Sequence, residues 1–284
     1  MTLSNIYGLE TSVDMLIEAG YPAIDVSMFK IDEPPFTDDY KEVAERLLAK
    51  ANAKGVKFIQ AHAPFGGGFE KYTTVLVPLM PRVFEFCSLL GIRDVVVHPI
   101  QDGRYYKREE ELFARNVEFY KSLAPIAKQY GVRIAIENMW QRHPITKNIC
   151  DDVLAPPEEL ARMYDVLNDP ETFTVCLDLG HVALCGREPD DAIRTIGKDR
   201  LGALHVHDVD YVSDLHTLPG IGKINWMKVC EALAEIGYEG SFNLEADNFF
   251  LGFLPEHHAM CAKFMADTTR VFAEKIDELR AKCE

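Results

Sequence analysis

One unit repeats along this chain: a short apolar run, a polar loop, then an amphipathic helix. The runs are AIDVSMF (23–29), FIQAHAP (58–64), VVVHP (95–99), RIAIEN (133–138), TVCLDLGH (174–181), ALHVHD (203–208) and SFNLEA (241–246), with SNIYGL near the N-terminus taken as an eighth. Helical patterns fill the spaces between them, clearest in DDYKEVAERLLAKANAKG, REEELFARNVEFYKSLAPIAKQYG, PPEELARMYDVL and NWMKVCEALAEIGY. Gly55, Gly131 and Gly237 each fall just after such a pattern, where a left-handed cap needs a residue without Cβ. Strands alternating with helices pair in parallel. At 284 residues the expected plan is a closed (β/α)8 TIM barrel, one domain over 1–284 with a long C-terminal helix and its active site at the C-terminal ends of the strands. An open doubly wound sheet is the competing plan, but no run is followed by a Gly-rich dinucleotide turn.

A parallel strand covered on both faces should read as nearly continuous Val, Ile and Leu. These runs do so until their C-terminal ends, where Asp25, His62, His98, Glu137, Asp178, His205 and Glu245 break the pattern. Alternation puts Ala135 with Glu137, Cys176 with Asp178, Asn243 with Glu245, Gln60 with His62 and Val96 with His98 on one face of each strand. The large aliphatics then face the helices, and the small or polar residues face the barrel axis with the ionisable one last. Carboxylates gathered in a dry barrel mouth repel one another and take up protons unless a cation compensates. A mixed set of imidazoles and carboxylates suits Zn, Mn, Co or Fe, whereas all-oxygen sets favour Mg or Ca.

The net charge of −15 repels nucleic acid and anionic membrane at long range. No stretch approaches ~18 consecutive apolar residues, and the start MTLSNIYGLETSVDM has neither a basic beginning nor an apolar run. Seven scattered cysteines without a Cys-x-x-Cys argue against a disulfide framework or a thiolate zinc site. The expectation is a reduced, cytoplasmic protein that does not engage membranes.

The stretches IAIEN, VCLDLGH, LHVHD with the following D-L-H and GIGKINW, and FNLEA resemble the xylose-isomerase-like barrel superfamily. That group holds sugar and sugar-phosphate isomerases and epimerases, inosose dehydratases and zinc-dependent abasic-site endonucleases. The resemblance implies a shared metal site of Glu137, Asp178, His205 and Glu245. His205 matches better than His207, because Asp208 completes the His-x-x-Asp pattern. The endonucleases further imply His62, His98, His181, Asp214 and His216 as ligands of additional ions, and all of these positions are filled here. For His181 the reading stays divided between metal and substrate. His62 and His98 serve either a metal or a sugar hydroxyl, Asp214 and His216 either a metal or a solvated turn. Gly220 and Gly222 serve a tight turn or the approach of a phosphate.

Two chemistries follow from the resemblance. In the first, a divalent ion (Mn, Zn, Co or Mg) stabilises the enediolate of a sugar or sugar phosphate while Glu137 and Glu245 move the proton. His181, Trp140 and Arg142 would then contact substrate, Arg142 through a bidentate anion contact. In the second, two or three zinc ions hydrolyse a phosphodiester, as in an abasic-site endonuclease. GGGFEKYTTVLVPLMP is mostly apolar and CDDVLAPPEE is acidic, which is poor equipment for tracking a nucleic-acid backbone, so the sugar enzyme is favoured. The same metal and base also suit loss of water from a cyclic polyol, an inosose-type dehydratase. The C-terminal LPEHHAMCAKFMADTTRVFAEKIDELRAKCE reads as a long helix packing on the barrel or on a partner subunit of a homo-oligomer, with His257 and His258 at a surface or interface.

Overall fold

The structure is a computed structural model that describes residues 2–283. Its strands are β1 (Ala23–Ser27), β2 (Lys57–His62), β3 (Asp94–Val97), β4 (Arg133–Glu137), β5 (Trp140–Arg142), β6 (Ile149–Asp151), β7 (Phe173–Asp178) and β8 (Leu201–His205). Six of them form one parallel sheet in the order β1-β2-β3-β4-β7-β8, and β5 and β6 make a small antiparallel hairpin beyond β4. The helices are α1 (Thr2–Tyr7), α2 (Leu9–Ala19), α3 (Tyr40–Ala53), α4 (Phe69–Leu90, π-helical over Tyr72–Leu76), α5 (Glu109–Tyr130), α6 (Pro157–Leu167), α7 (Leu179–Leu184), α8 (Pro189–Ile196), α9 (Trp226–Glu235) and α10 (His258–Cys283). The caps expected at Gly55, Gly131 and Gly237 have φ of 70°, 66° and 68°.

The alternation expected from the strands is the packing observed. Val96, Ala135, Cys176 and Ala203 form their own buried cluster inside the curled sheet. Ile134, Ile136, Val175, Leu177 and Leu204 belong to the larger core between sheet and helices. Small residues are needed inside because strands converge on a narrow axis, while the outer face must fill the grooves of the helices. The register sets Asp178 level with His205 and Glu137 level with Cys176, so the ionisable residues emerge together at one end.

Three segments depart from the sequence reading. SNIYGL is not an eighth strand: it runs from the end of α1 through Gly8 into the start of α2. In α1 the apolar residues Leu3, Ile6 and Tyr7 recur at steps of three and four, which is a helix period, and Leu3 is buried while Ile6 is half-exposed. SFNLEA makes only a parallel bridge between Leu244 and Val206, through Val206 N to Asn243 O (2.9 Å) and Glu245 N to Val206 O (2.9 Å). It therefore occupies the seventh place of the barrel, and between it and β1 no strand lies among the described residues. TVCLDLGH stops being a strand at Asp178, whose carboxylate accepts from His181 N (2.6 Å) and caps α7.

Helix α4 is long and apolar enough to cross a bilayer by length and composition alone. In this fold it lies between α3 and α5, with Met80, Val83, Phe84 and Phe86 fully buried against the sheet. Helix α10 packs on α2 and α9, as expected for a helix covering the barrel. His257 is exposed as expected, but His258 is not at a surface. It is buried beside Phe250, with Nδ1 3.1 Å from the Tyr7 hydroxyl.

The loop after β8 is organised by Asp208, which is fully buried. Its carboxylate accepts from Val209 N (2.9 Å), Gly220 N (2.8 Å), Ile224 N (3.1 Å) and Trp226 Nε1 (2.8 Å). Gly222 lies so close that a Cβ there would sit 2.3 Å from Asp208 Oδ1. Gly220 and Gly222 thus fold onto this carboxylate, and the Gly220 amide is spent on it rather than offered to a phosphate. Replacing Asp208 by Ala strands several buried donors. Urea denaturation of Asp208→Ala is expected to show a loss of about 3 kcal/mol or more.

Candidate metal centre

The strand ends bring the sequence-predicted ligands into one buried cluster. Glu137, at the end of β4, sits in the middle. Its Oε1 is 2.7 Å from His205 Nδ1, and its Oε2 is 2.9 Å from His98 Nε2 and 3.6 Å from His62 Nε2. The two imidazoles of His62 and His98 face each other nitrogen to nitrogen at 3.0 Å. On the other side His205 Nδ1 is 3.3 Å from Glu245 Oε2 and 3.9 Å from Asp178 Oδ2. Donor atoms of Glu137, Asp178, His205 and Glu245 all lie within 4.8 Å of one another, and so do those of His62, Glu137 and His205.

A further cluster lies alongside. His181, His207, Asp214 and His216 bring one donor atom each within 4.8 Å of the others. His216 Nε2 is 3.2 Å from Asp214 Oδ1, and the His207 and His216 rings stack with centroids 4.1 Å apart. His207 Nε2 also lies 3.1 Å from Asp178 Oδ1, so Asp178 stands between the two clusters. Asp214 and His216 therefore point inward and do not form a solvated turn.

Ring orientation is fixed by backbone. His62 Nδ1 donates to Ala63 O (2.8 Å), His181 Nδ1 to Asn138 O (2.8 Å) and His216 Nδ1 to Glu245 O (2.9 Å). A carbonyl can only accept, so each Nδ1 carries the hydrogen and each Nε2 is left as the coordinating atom in the neutral ring. Such outer bonds set both tautomer and direction in metal-binding histidines. Asn138, next to Glu137, closes the frame: its Nδ2 donates to Asp178 O (3.0 Å) and its Oδ1 accepts from Asp178 N (2.8 Å).

The electrostatics are those of crowded carboxylates. Burial alone would raise the Glu137 carboxyl, but His205 and His98 hold it well below the usual carboxylate range. Burial likewise opposes ionisation of Asp178, and His181 and His207 overcome it. Burial disfavours the charged form of His216, yet the Asp214 and Glu245 carboxylates push it up to about 10. Burial pushes His98 down to about 4, against the pull of Glu137. Even so, Glu137 Oε2, Asp214 Oδ1 and Glu245 Oε2 are buried without a hydrogen-bond donor, as is His207 Nδ1. Carboxylate oxygens left bare at the centre of converging imidazole nitrogens fit a divalent cation, and the N/O donor set fits a borderline ion.

Around this core lie groups of a different kind. Trp140 and Arg142 stand on the β5–β6 hairpin at the rim. The Trp140 ring is 6.3 Å from His181, and the Arg142 guanidinium lies 5.5 Å from the Trp140 centroid and donates to Lys147 O (3.3 Å). Phe65 packs on His98 (4.3 Å) and Phe29 on His62 (4.8 Å), forming an aromatic lip that the sequence reading did not single out. His207 was assigned no role from sequence. Its signal was Gly180 in the DLGH stretch, where a Cβ would come 2.0 Å from His207 Cε1.

The chain matches the model of the xylose isomerase-like TIM barrel family over residues 13–259. An uncharacterised protein of Methanocaldococcus jannaschii is 28% identical over 198 residues, 67% of this chain and 64% of that protein, so the matched part spans just under two thirds of its length. The inosose dehydratase of Lacticaseibacillus casei is 29% identical over 282 residues, covering 92% of this chain and 89% of that one. Among solved structures, a D-tagatose 3-epimerase-like protein superposes with a TM-score of 0.73 at 19% identity, covering 99% of this chain and 98% of that one. The IolI protein with a bound zinc atom superposes with a TM-score of 0.72 at 21% identity, covering 94% and 92%. With a TIM-barrel-like curl of parallel strands, helices outside and histidines and carboxylates gathered at one end, the chain belongs to the xylose isomerase-like TIM barrel family.

Proposed function

We propose that the protein is a divalent-metal-dependent isomerase or epimerase acting on a sugar or sugar phosphate by proton transfer. The observation that carries this reading is the pair of glutamates flanking His205, Glu137 Oε1 at 2.7 Å and Glu245 Oε2 at 3.3 Å, each with its other features suited to a cation. Glu137, Asp178, His205 and Glu245 would hold the ion. When bound, such an ion stabilises negative charge developing on adjacent substrate oxygens, which is what makes a proton next to a carbonyl removable at neutral pH. A zinc ion in the IolI structure and the epimerase character of the D-tagatose 3-epimerase-like protein support this assignment.

The two glutamates differ in access. Glu137 is 1% exposed and locked between histidines, whereas the Glu245 side chain is 23% exposed. Glu245 is therefore the carboxylate that a substrate entering from the mouth meets first, and Glu137 serves the opposite side of the acid–base pair. His181 orients substrate oxygens through its Nε2. Trp140 covers the sugar ring, Arg142 approaches an anionic substituent, and Phe65 and Phe29 keep water from His98 and His62.

A polyol dehydratase is the second reading, supported by the near full-length match to inosose dehydratase. There the same Glu245 removes the proton, and water leaves from the neighbouring carbon. An abasic-site endonuclease is the third, supported by the occupied positions His62, His98, His181, Asp214 and His216, and weakened by the net charge of −15.

Metal-loaded protein incubated in deuterated water with ketoses and inososes is expected to place deuterium next to the carbonyl, read by NMR. Loss of water from an inosose selects the second reading; cleavage of an oligonucleotide lacking a base, with no exchange, selects the third. Glu245→Gln should lower exchange by about 100-fold or more while elemental analysis still finds bound metal. Full activity in that variant overturns the acid–base role. Chelation is expected to lower the melting temperature by about 10 °C, restored by Zn or Mn and not by Na, in differential scanning calorimetry. Since the carboxylates around His216 push its imidazole up to about 10, a divalent ion held by this ring would be taken up in exchange for a proton. Titration calorimetry at pH 7 in buffers of different ionisation enthalpy should show release of about one proton at this cluster, lost in His216→Gln.

A further inference from the structure

Hairpin β5–β6 pairs with no other strand among the described residues, and each of its strands is three residues long. Two such short strands do not hold a fixed attitude by themselves. Yet the hairpin carries Trp140, whose ring stands edge-on to His181 at 6.3 Å. Its attitude over the metal centre is set by what grips its root.

That root is held from two sides. On one side Arg187, which follows α7, gives Nη1 and Nη2 to Asp151 Oδ1 (2.6 Å) and Oδ2 (2.8 Å). On the other stands Gln101, on the loop after β3 that also carries His98. Its Nε2 donates to Trp140 O (3.0 Å) and to Asp152 Oδ2 (2.7 Å). Both hydrogens of the amide are thus spent, one on the first residue of β5 and one on the residue that follows β6. Asp152 is 1% exposed, its other oxygen accepts from Val153 N (2.8 Å), and burial pushes its carboxyl up to about 6. Gln101 is itself aimed by a fixed backbone. Asn116 of α5, fully buried, accepts from Ile100 N at Oδ1 (2.6 Å) and donates from Nδ2 to Ile100 O (3.1 Å). A chain of polar contacts therefore runs from a core helix through Gln101 to Trp140. Buried groups of this kind are costly unless each finds its partner.

We propose that Gln101 is a positioning residue for substrate: clamped through Ile100 by Asn116, it sets the height of Trp140 over the metal centre and so the fit of the sugar beneath that ring. This rests on the reading in which Trp140 covers the sugar. Gln101 acts on the sugar only through Trp140, and its neighbour Asp152 keeps its amide turned the right way. A displaced ring loosens the bound sugar in ground state and transition state alike, so the effect falls on KM more than on kcat.

The chain has two tryptophans, Trp140 and Trp226, so labelling with fluorotryptophan gives two fluorine resonances, which Trp140→Phe assigns. Gln101→Met keeps the bulk of the side chain and removes both donors. In this variant the Trp140 resonance is expected to shift or broaden. That of Trp226, buried with its Nε1 on Asp208, should stay in place and report an intact core. With metal-loaded enzyme and the ketose that exchanges deuterium, Gln101→Met should raise KM about tenfold and change kcat by less than about threefold. In a Trp140→Ala background the same substitution should change KM by less than about twofold, because nothing is left for Gln101 to position. An unmoved Trp140 resonance overturns the proposal, as does movement of both resonances together. So does a KM that is unchanged, or that rises equally with and without Trp140. The fluorine measurement needs no substrate. If no ketose exchanges deuterium, the proposed reaction fails, while a moved Trp140 resonance still supports Gln101 as the residue that sets this ring and an unmoved one still overturns it.

Discussion

Carboxylates from separate strands repel one another across a few ångströms of dry protein, and the rest of this mouth is arranged around that repulsion. Glu137, Asp178, Asp214 and Glu245 come from different segments and are each interleaved with imidazoles. Without those rings the cost of bringing the carboxylates out of water would exceed what a barrel end contributes to stability. The rings alone do not complete the neutralisation, since several carboxylate oxygens remain without a donor. The polar network is therefore built for a positive charge that its own side chains do not fully supply.

The barrel makes such crowding feasible by separating two jobs along each strand. The lower part of the axis is filled by Val96, Ala135, Cys176 and Ala203, small enough to let the strands approach. One step further along the same face the side chain becomes ionisable. Stability is carried by the outward Ile, Val and Leu residues packed between sheet and helices, so the chemistry at the rim can vary without unpacking the core.

That division explains what was legible in the sequence. A period of two that ends on Glu137, Asp178 or His205 reads directly as a strand with a functional tip, and the central cluster follows from it. SNIYGL reads either way, because six residues are too few to separate a strand from a helix, and the steps of three and four appear only when Leu3 ahead of it is counted. His207 shares a strand face with His205, and the His-x-x-Asp pattern selects His205 over it; only the backbone's turn beyond β8 carries His207 to the neighbouring cluster. The aromatic lip of Phe65 and Phe29 lies on loops, where no period exists to read. Asp208 fitted a motif, but its real work, gathering Gly220, Ile224 and Trp226 around one carboxylate, depends on contacts across twelve to eighteen residues.

The tethering of His62, His181 and His216 to main-chain carbonyls has a kinetic side. Imidazoles already locked in one rotamer need not search for a pose when a cation arrives, so little ordering entropy is spent on capture. Uptake is then governed by how quickly an ion sheds its hydration shell and passes the rim, and selectivity by which ion tolerates spacings the backbone has set in advance.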